Sequence, residues 1–252
     1  MSDFDRNYAA PRRGFGADQA IAVDQGLRAY MIRVYNYMAV GVALTGVVAW
    51  LTFNAAVTET AGRLALTPFG HAIYSGPATI VLFLGTLGLV FLISWRIDRL
   101  QPSTAFTLFM VYAGLLGLML SSIFLVYTSQ SIVQTFFVTA SAFGALSLFG
   151  YTTKRDLTAM GSFLIMGVFG ILIAMVVNIF LQSSALQFAI SAIGVLVFSG
   201  LTAYDTQKIK EMYYEGDDTL VAGRKAIMGA LTLYLDFINL FTFLLQFLGN
   251  RD

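Results

Sequence analysis

Apolar residues fill seven long stretches of the chain, and mostly short polar segments separate them. Each stretch has roughly the 20 mostly apolar residues that a helix needs to cross the hydrocarbon of a bilayer. The stretches cover residues 35–53, 78–95, 105–125, 133–151, 160–181, 186–205 and 226–248. The pattern therefore predicts an all-α membrane protein with seven transmembrane helices.

Composition indicates the same class of protein. The sequence is 58% hydrophobic and 12% charged, whereas soluble domains carry about 25% charged residues. With no cysteine and one histidine, His71, it offers no disulfide, catalytic thiol or histidine-built metal centre. The net charge is +1 and no basic patch alternates with aromatic residues, so the expected partner is a lipid bilayer and not a nucleic acid. Residues 1–34 are predicted to form a polar cytoplasmic tail, and residues 35–252 a single seven-helix transmembrane domain.

Lysine and arginine residues concentrate in alternate connections of the predicted bundle. If the N-terminus is cytoplasmic, 13 of the 15 fall in inner segments and the remaining two, Arg63 and Arg251, fall in outer ones. Positively charged residues favour the cytoplasmic side of a membrane. The distribution predicts a cytoplasmic N-terminus and an external C-terminus.

The seventh apolar stretch carries polar or small residues at helical spacing. One face of the predicted helix holds Gly229, Thr232, Asp236, Asn239, Thr242 and Gln246. A helix surrounded by lipid needs no polar face, so this helix is predicted to lie at the centre of the bundle with that face lining a cavity. The predicted pore-lining residues are Thr232, Asn239, Thr242 and Gln246, together with Thr202 of the sixth stretch.

Two carboxylates, Asp205 and Asp236, lie in apolar surroundings. A carboxylate at membrane depth costs several kcal/mol unless it is protonated, paired or hydrated. Asp236 lies roughly 15 Å into its span by helical rise, so the two acids meet only if the sixth helix continues past residue 205 or if this side of the bundle is funnelled. A pair that meets can share one proton or present hard oxygen ligands to a cation. Arg96 or Arg99, in the second cytoplasmic connection, could reach such a pair as a latch.

Four motifs resemble those of the Bax inhibitor-1 family. They are GYTTKRDL at 150–157, NIF at 178–180, YDTQKIK at 204–210 and LYLDFINLF at 233–241. The second half of the chain is similar to this family through these motifs, and the first half mainly through the layout of the spans.

The resemblance implies seven helices, with the last surrounded by the other six. The polar tail and the short loops are typical of a bacterial protein, so a bacterial inner membrane is the expected location. It also implies a pH-sensitive cation leak, classically of Ca²⁺, controlled by an aspartate pair that maps onto Asp205 and Asp236. Family members use an arginine of the second span as a latch, and Arg96 and Arg99 both fit its place. The family's acidic residue deeper in that span has no counterpart in residues 80–94. Ca²⁺ is therefore expected as the transported ion, with protons as regulators, no cofactor and no enzymatic activity.

Three other functions remain open at this point. A proton-coupled transporter could use a buried acid pair, and a non-conducting regulator would bind other membrane proteins such as proteases or death factors. An intramembrane aspartyl protease also pairs aspartates on its sixth and seventh spans, where two acids sharing a proton can activate water. However, the Gly-x-Gly-Asp motif of that family is replaced here by Leu-Tyr-Leu before Asp236, and all four prolines precede the third span, so its Pro-Ala-Leu element is missing.

Overall fold

The computed structural model describes the backbone of residues 15–60 and 63–250 and the side chains of residues 25–59 and 64–250. Residues 1–14 of the predicted tail and Arg251 lie outside these ranges. The α-helices of the described chain are α1 (Phe15–Ala56), α2 (Pro68–Ile73), α3 (Gly76–Arg96), α4 (Pro102–Leu120), α5 (Ser129–Thr152), α6 (Thr158–Leu181), α7 (Ser184–Glu211) and α8 (Thr219–Leu248). Strands β1 (Val57–Thr60) and β2 (Arg63–Leu66) form an antiparallel hairpin, and 3-10 turns at Ile97–Arg99 and Ser121–Leu125 follow α3 and α4.

Seven of the described helices, α1 and α3 to α8, are long and apolar enough to cross a membrane. The predicted all-α, seven-span class is therefore confirmed, while the orientation of the termini stays a prediction. Contacts between connections show which helix ends lie together. Lys210 Nζ donates to the Tyr151 carbonyl (2.8 Å) and Arg224 Nε donates to the Leu100 carbonyl (2.6 Å). We call this end of the bundle, where α3, α5 and α7 end and α4 and α8 begin, the basic end.

Short polar segments end one helix and start the next. Side-chain oxygens of Ser75, Thr128, Ser183 and Asp218 accept a hydrogen bond from a first-turn N–H of α3, α5, α7 and α8. Such N-caps satisfy donors that a helix cannot pair internally. Helix α6 ends at Leu181, and the capping residue Gln182 that follows it has a left-handed φ of 49°. These connections therefore carry their own stop and start signals, and most successive spans reverse direction within a few residues; the hairpin and α2 lie between α1 and α3.

Helix α8 is the buried centre of the bundle. In the most apolar stretch of α8, 72% of the residues are buried. The corresponding stretches of α3 and α6 have 11% and 6% of their residues buried. Its main neighbours are α1, α4, α5 and α7, whereas α3 packs on α4 and α6 packs on α7. The predicted central position of the seventh span is confirmed. The ring around it consists mainly of four helices rather than the six implied by the family resemblance, because α3 and α6 form an outer layer.

The packed domain begins earlier than predicted. Helix α1 continues without a break into the predicted tail, where Tyr30, Met31 and Val34 are buried. The ring of Tyr30 lies 5.7 Å from that of Tyr213, in the segment between α7 and α8. Residues 25–34 therefore belong to the helical domain, which corrects the boundary of the polar tail. The exposed residues of this segment include Arg28 and Arg33, so its hydropathy is low although one of its faces is packed.

Two glycines allow close helix contacts. A Cβ at Gly150 of α5 would lie 2.1 Å from the Ala203 carbonyl oxygen of α7, and one at Gly194 of α7 would lie 2.6 Å from the Phe243 ring of α8. The spacing of small residues also predicts close packing at Gly144. There, however, no described neighbour lies within 4 Å of the corresponding Cβ position. The small residue at this position borders open space instead of a neighbouring helix.

Candidate functional site

The two acids meet at the interface of α7 and α8. Helix α7 continues past Asp205 to Glu211, and α8 runs back beside it from Thr219. Because of this extension, the two acids lie at the same depth in the bundle, and the separation that the sequence predicted for a shorter sixth helix disappears. The side chains of Asp205 and Asp236 lie within hydrogen-bonding range of each other. An ionised carboxylate can only accept hydrogen bonds. A shared proton, or a cation between the oxygens, would satisfy both groups in this contact.

Asp236 is the more buried member of the pair. It is 4% exposed, and its Oδ2 atom is buried without a hydrogen-bond partner among the described residues. Asp205 is partly exposed, and the charge of Lys208, one turn further along α7, acts on it. Leaving a buried polar atom unpaired costs about 1–3 kcal/mol. Oδ2 of Asp236 is therefore a buried acceptor that no donor among the described residues satisfies.

Apolar contacts flank the pair along the α7–α8 interface. Toward the basic end, Ile209 packs against Gly229, where a Cβ would lie 2.9 Å from Ile209 Cγ2. Toward the opposite end, the rings of Phe198 and Phe243 stack with centroids 5.6 Å apart. The acids thus form a polar contact enclosed by two apolar ones. Electrostatic interactions are stronger in such surroundings than in water, so the charge state of the pair has a large effect on this interface.

A cavity of about 140 Å³ lies at the basic end beside the start of α8. Asp98, Lys225 and Met228 are among the residues that line it. Lys225 is also ion-paired with Asp217 of the α7–α8 connection. Met228 lies on α8 about two helical turns before Asp236. The cavity is therefore lined by charges of both signs and lies beside the helix that carries the buried acid.

The predicted pore-lining residues of α8 lie on a partly exposed face beside the acids. The half-buried residues are Thr232, Asn239, Thr242 and Gln246. The first three donate hydrogen bonds to carbonyls four residues back in α8. Gln246 instead contacts α7, where Gln187 Nε2 donates to its Oε1 (2.8 Å). Thr202 is fully buried and donates to the Phe198 carbonyl of its own helix, so it lies in the packed interior and not on the partly exposed face.

Neither predicted latch arginine contacts the pair. Arg96 and Arg99 are exposed and form no ion pair with the described acids. Arg96 borders a surface cavity with Phe91 and Trp95 on α3, a helix that packs on α4. The latch predicted from the sequence is therefore not a contact of this structure, because α3 belongs to the outer layer of the bundle.

Two contributors to the site region escaped the sequence patterns. Tyr234 is fully buried, and its hydroxyl lies 2.7 Å from Thr45 Oγ1, which is also within hydrogen-bonding distance of the Ala113 carbonyl (2.9 Å). This contact ties α8 to α1 and α4. The sequence signal was weak, because each of these apolar stretches carries several hydroxyl groups and none of them identifies its partner. Lys208 could have been found, since residues three apart share one face of a helix and it lies three positions after Asp205.

These features define a class of protein, an α-helical multi-pass membrane protein with a carboxyl pair buried against its central helix. Residues 27–252 match the family described as inhibitor of apoptosis-promoting Bax1. An uncharacterised protein of Rickettsia prowazekii is 51% identical, covering 90% of this chain and 92% of its own. The inner membrane protein YbhL of Escherichia coli is 48% identical (93% and 97%), and an uncharacterised protein of Caulobacter vibrioides is 46% identical over 100% of both chains. The chain therefore belongs to the Bax inhibitor-1 family, as its motifs indicated.

Proposed function

We propose that the protein is a pH-sensitive cation leak channel of the bacterial inner membrane, with Ca²⁺ as the transported ion and the aspartate pair as its gate. The observation that carries the proposal is the contact between Asp205 and Asp236, together with the unpaired Oδ2 atom of Asp236. Carboxylate oxygens are the ligands that Ca²⁺ prefers, and protons compete for the same oxygens. The proposed location follows that of the Escherichia coli relative, an inner membrane protein.

Acid is proposed to increase the leak. When both carboxyl groups are ionised, the site holds a divalent cation strongly. An ion that is held too strongly blocks a narrow path, since conduction requires a site that also releases its ion. One proton on the pair halves the negative charge that faces the cation and weakens this hold. We therefore expect more flux at about pH 6 than at about pH 8. In this explanation the pH effect comes from the acid pair itself, and no arginine latch is needed.

Ca²⁺ entry into proteoliposomes tests the proposal. Purified protein is reconstituted with a Ca²⁺-sensitive dye inside the vesicles, and entry is followed between about pH 5.5 and pH 8.5 with the same pH on both sides. We expect flux without any co-substrate, rising as the pH falls, and none in protein-free vesicles. Flux no greater than in protein-free vesicles at every pH would refute the channel.

A proton-coupled transporter is the second candidate, because a buried acid that shares one proton also suits the exchange of a proton for a cation. Ca²⁺ flux that requires a pH gradient across the vesicle membrane would favour this transporter over the leak. The sequence also left open a non-conducting regulator of membrane proteins and an intramembrane aspartyl protease. Flux from the purified protein alone argues against a purely non-conducting role, and peptide cleavage lost in Asp236→Asn would favour the protease.

The proposed orientation places the basic end in the cytoplasm. The chain has no cysteine, so single cysteines can be introduced without a background. Thr153→Cys and Asp217→Cys should react with a membrane-impermeant maleimide only from the cytoplasmic side. Ser75→Cys and Ser183→Cys should react only from outside. External labelling of Asp217→Cys would contradict this orientation.

A further inference from the structure

An apolar groove runs along α8 between α1 and α5. Two cavities form it, one of about 570 Å³ toward the basic end and one of about 300 Å³ toward the opposite end. Phe237 of α8 lines both, so the cavities adjoin at the middle of the helix. Their sizes lie within the range of roughly 300–1,000 Å³ that is typical of ligand sites.

The groove exists because α1 and α5 do not close over α8. Both helices pack on α8, but they are not main neighbours of each other. Small residues border the gap, with Gly46 on α1 and Ala140 and Gly144 on α5, and no described neighbour lies within 4 Å of the Cβ position of either glycine. Leu148 and Val133 on its α5 wall are 63% and 54% exposed. The groove therefore opens sideways, toward the part of the surface that faces lipid in a membrane.

The length of the groove matches one membrane thickness. Its lining residues on α1 extend from Arg28 to Ala49. This separation corresponds to about 31 Å of helix, and the hydrocarbon of a bilayer is about 30 Å thick. The walls are almost entirely apolar, which suits hydrocarbon chains entering from either leaflet.

Among the described residues that line the groove, positive charge lies only at the basic end. Arg28 lines this mouth, is exposed, and forms no ion pair with the described acids. Tyr151 lines the same mouth, and Lys210 Nζ lies 5.3 Å from the centre of its ring. None of the described residues that line the cavity toward the opposite end is charged. A ligand with one anionic head and a long apolar tail fits this distribution.

We infer that the groove binds an anionic phospholipid from the leaflet at the basic end. Its phosphate contacts Arg28, Lys210 adds positive charge nearby, and one acyl chain lies along α8 against Phe237. Because Phe237 directly follows Asp236, the bound chain packs against the helical turn that carries the buried acid. The inference does not depend on ion conduction, and its test measures only lipid binding.

Fluorescence quenching by brominated lipids tests the site in the full-length protein. The two natural tryptophans, Trp50 and Trp95, are replaced by phenylalanine. Leu148→Trp then places a single reporter on the groove wall. The control reporter is Phe163→Trp, on the exposed surface of α6 at a similar distance from the basic end. For each reporter, quenching by brominated phosphatidylglycerol is compared with quenching by brominated phosphatidylcholine.

The groove reporter should show about fivefold stronger binding of phosphatidylglycerol than of phosphatidylcholine, the effect of about one cationic side chain near the phosphate. The control reporter should show little preference. Arg28→Ala should remove most of the preference, since only the nearby charge of Lys210 remains. Arg28→Lys should keep most of it, and Arg96→Ala, which removes an exposed arginine outside the groove, should leave it unchanged. Equal preferences at the two reporters, or a preference that is unchanged in Arg28→Ala, would overturn the inference.

Discussion

Replacing either member of the carboxyl pair with asparagine should remove the pH dependence of Ca²⁺ flux without disturbing the fold. Asp205 and Asp236 are in contact at the α7–α8 interface, and Asp236 Oδ2 has no partner among the described residues. Asparagine has nearly the same shape as aspartate, and its amide group can donate to the remaining carboxylate at any pH. The contact then persists without a proton, so the proton no longer controls it.

Coulomb's law gives the scale of the effect. Two ionised carboxylates at a hydrogen-bonding distance of about 3 Å repel each other by about 5 kcal/mol at an effective dielectric constant of about 20. A neutral amide removes that repulsion. An equilibrium linked to one proton shifts by at most about tenfold per pH unit, or about a hundredfold between pH 6 and pH 8. We expect wild-type flux to change by about tenfold or more over this range, and flux of either asparagine variant by less than about twofold.

Either asparagine variant carries the same charge as the singly protonated pair, so its flux should be near the acid level of the wild type at both pH values. Asp156→Asn is the matched control, measured in the same proteoliposomes. Asp156 is exposed in the segment before α6, and hydrogen bonds from Thr158 hold its pKa below the ordinary value for an aspartate. It therefore stays ionised over the whole range, and its replacement should leave the pH profile unchanged. An Asp205→Asn or Asp236→Asn protein that keeps the wild-type profile would show that the acids do not act as one site.

Three further predictions concern packing and the latch. Gly150→Ala should destabilise the protein by about 1–3 kcal/mol in reversible unfolding, because its Cβ would lie 2.1 Å from a carbonyl oxygen of α7, whereas Gly144→Ala on the same helix should be nearly neutral. Tyr234→Phe should lower the free energy of unfolding by about 0.5–1.5 kcal/mol, since it removes a buried hydrogen bond to α1, and an unchanged value would contradict that role. Arg96→Ala and Arg99→Ala should each leave the pH profile of Ca²⁺ flux unchanged, and high flux at about pH 8 from either variant would reinstate the latch.

Hydropathy alone determined the seven spans and the central position of the last one. The length of an apolar stretch and the period of a polar face are local properties of one helix, so they can be recognised without knowing its neighbours. Asp205 and Asp236 were also identifiable, because acids are rare within membrane spans. The packed start of α1 was missed, since exposed polar residues around Tyr30 and Met31 lower the hydropathy of a segment whose other face is buried.

Tertiary structure alone decided which groups meet. Contact between the acids depends on how far α7 extends along α8, and this register is set by packing such as that of Ile209 on Gly229. The position of α3 in the outer layer keeps Arg96 away from the pair, although its place in the sequence suggested otherwise. The groove between α1 and α5 likewise arises because two helices distant in the chain share a neighbour without closing on each other. Packing depends on all faces of all helices at once, and the hydropathy of one segment carries no information about the segment it contacts.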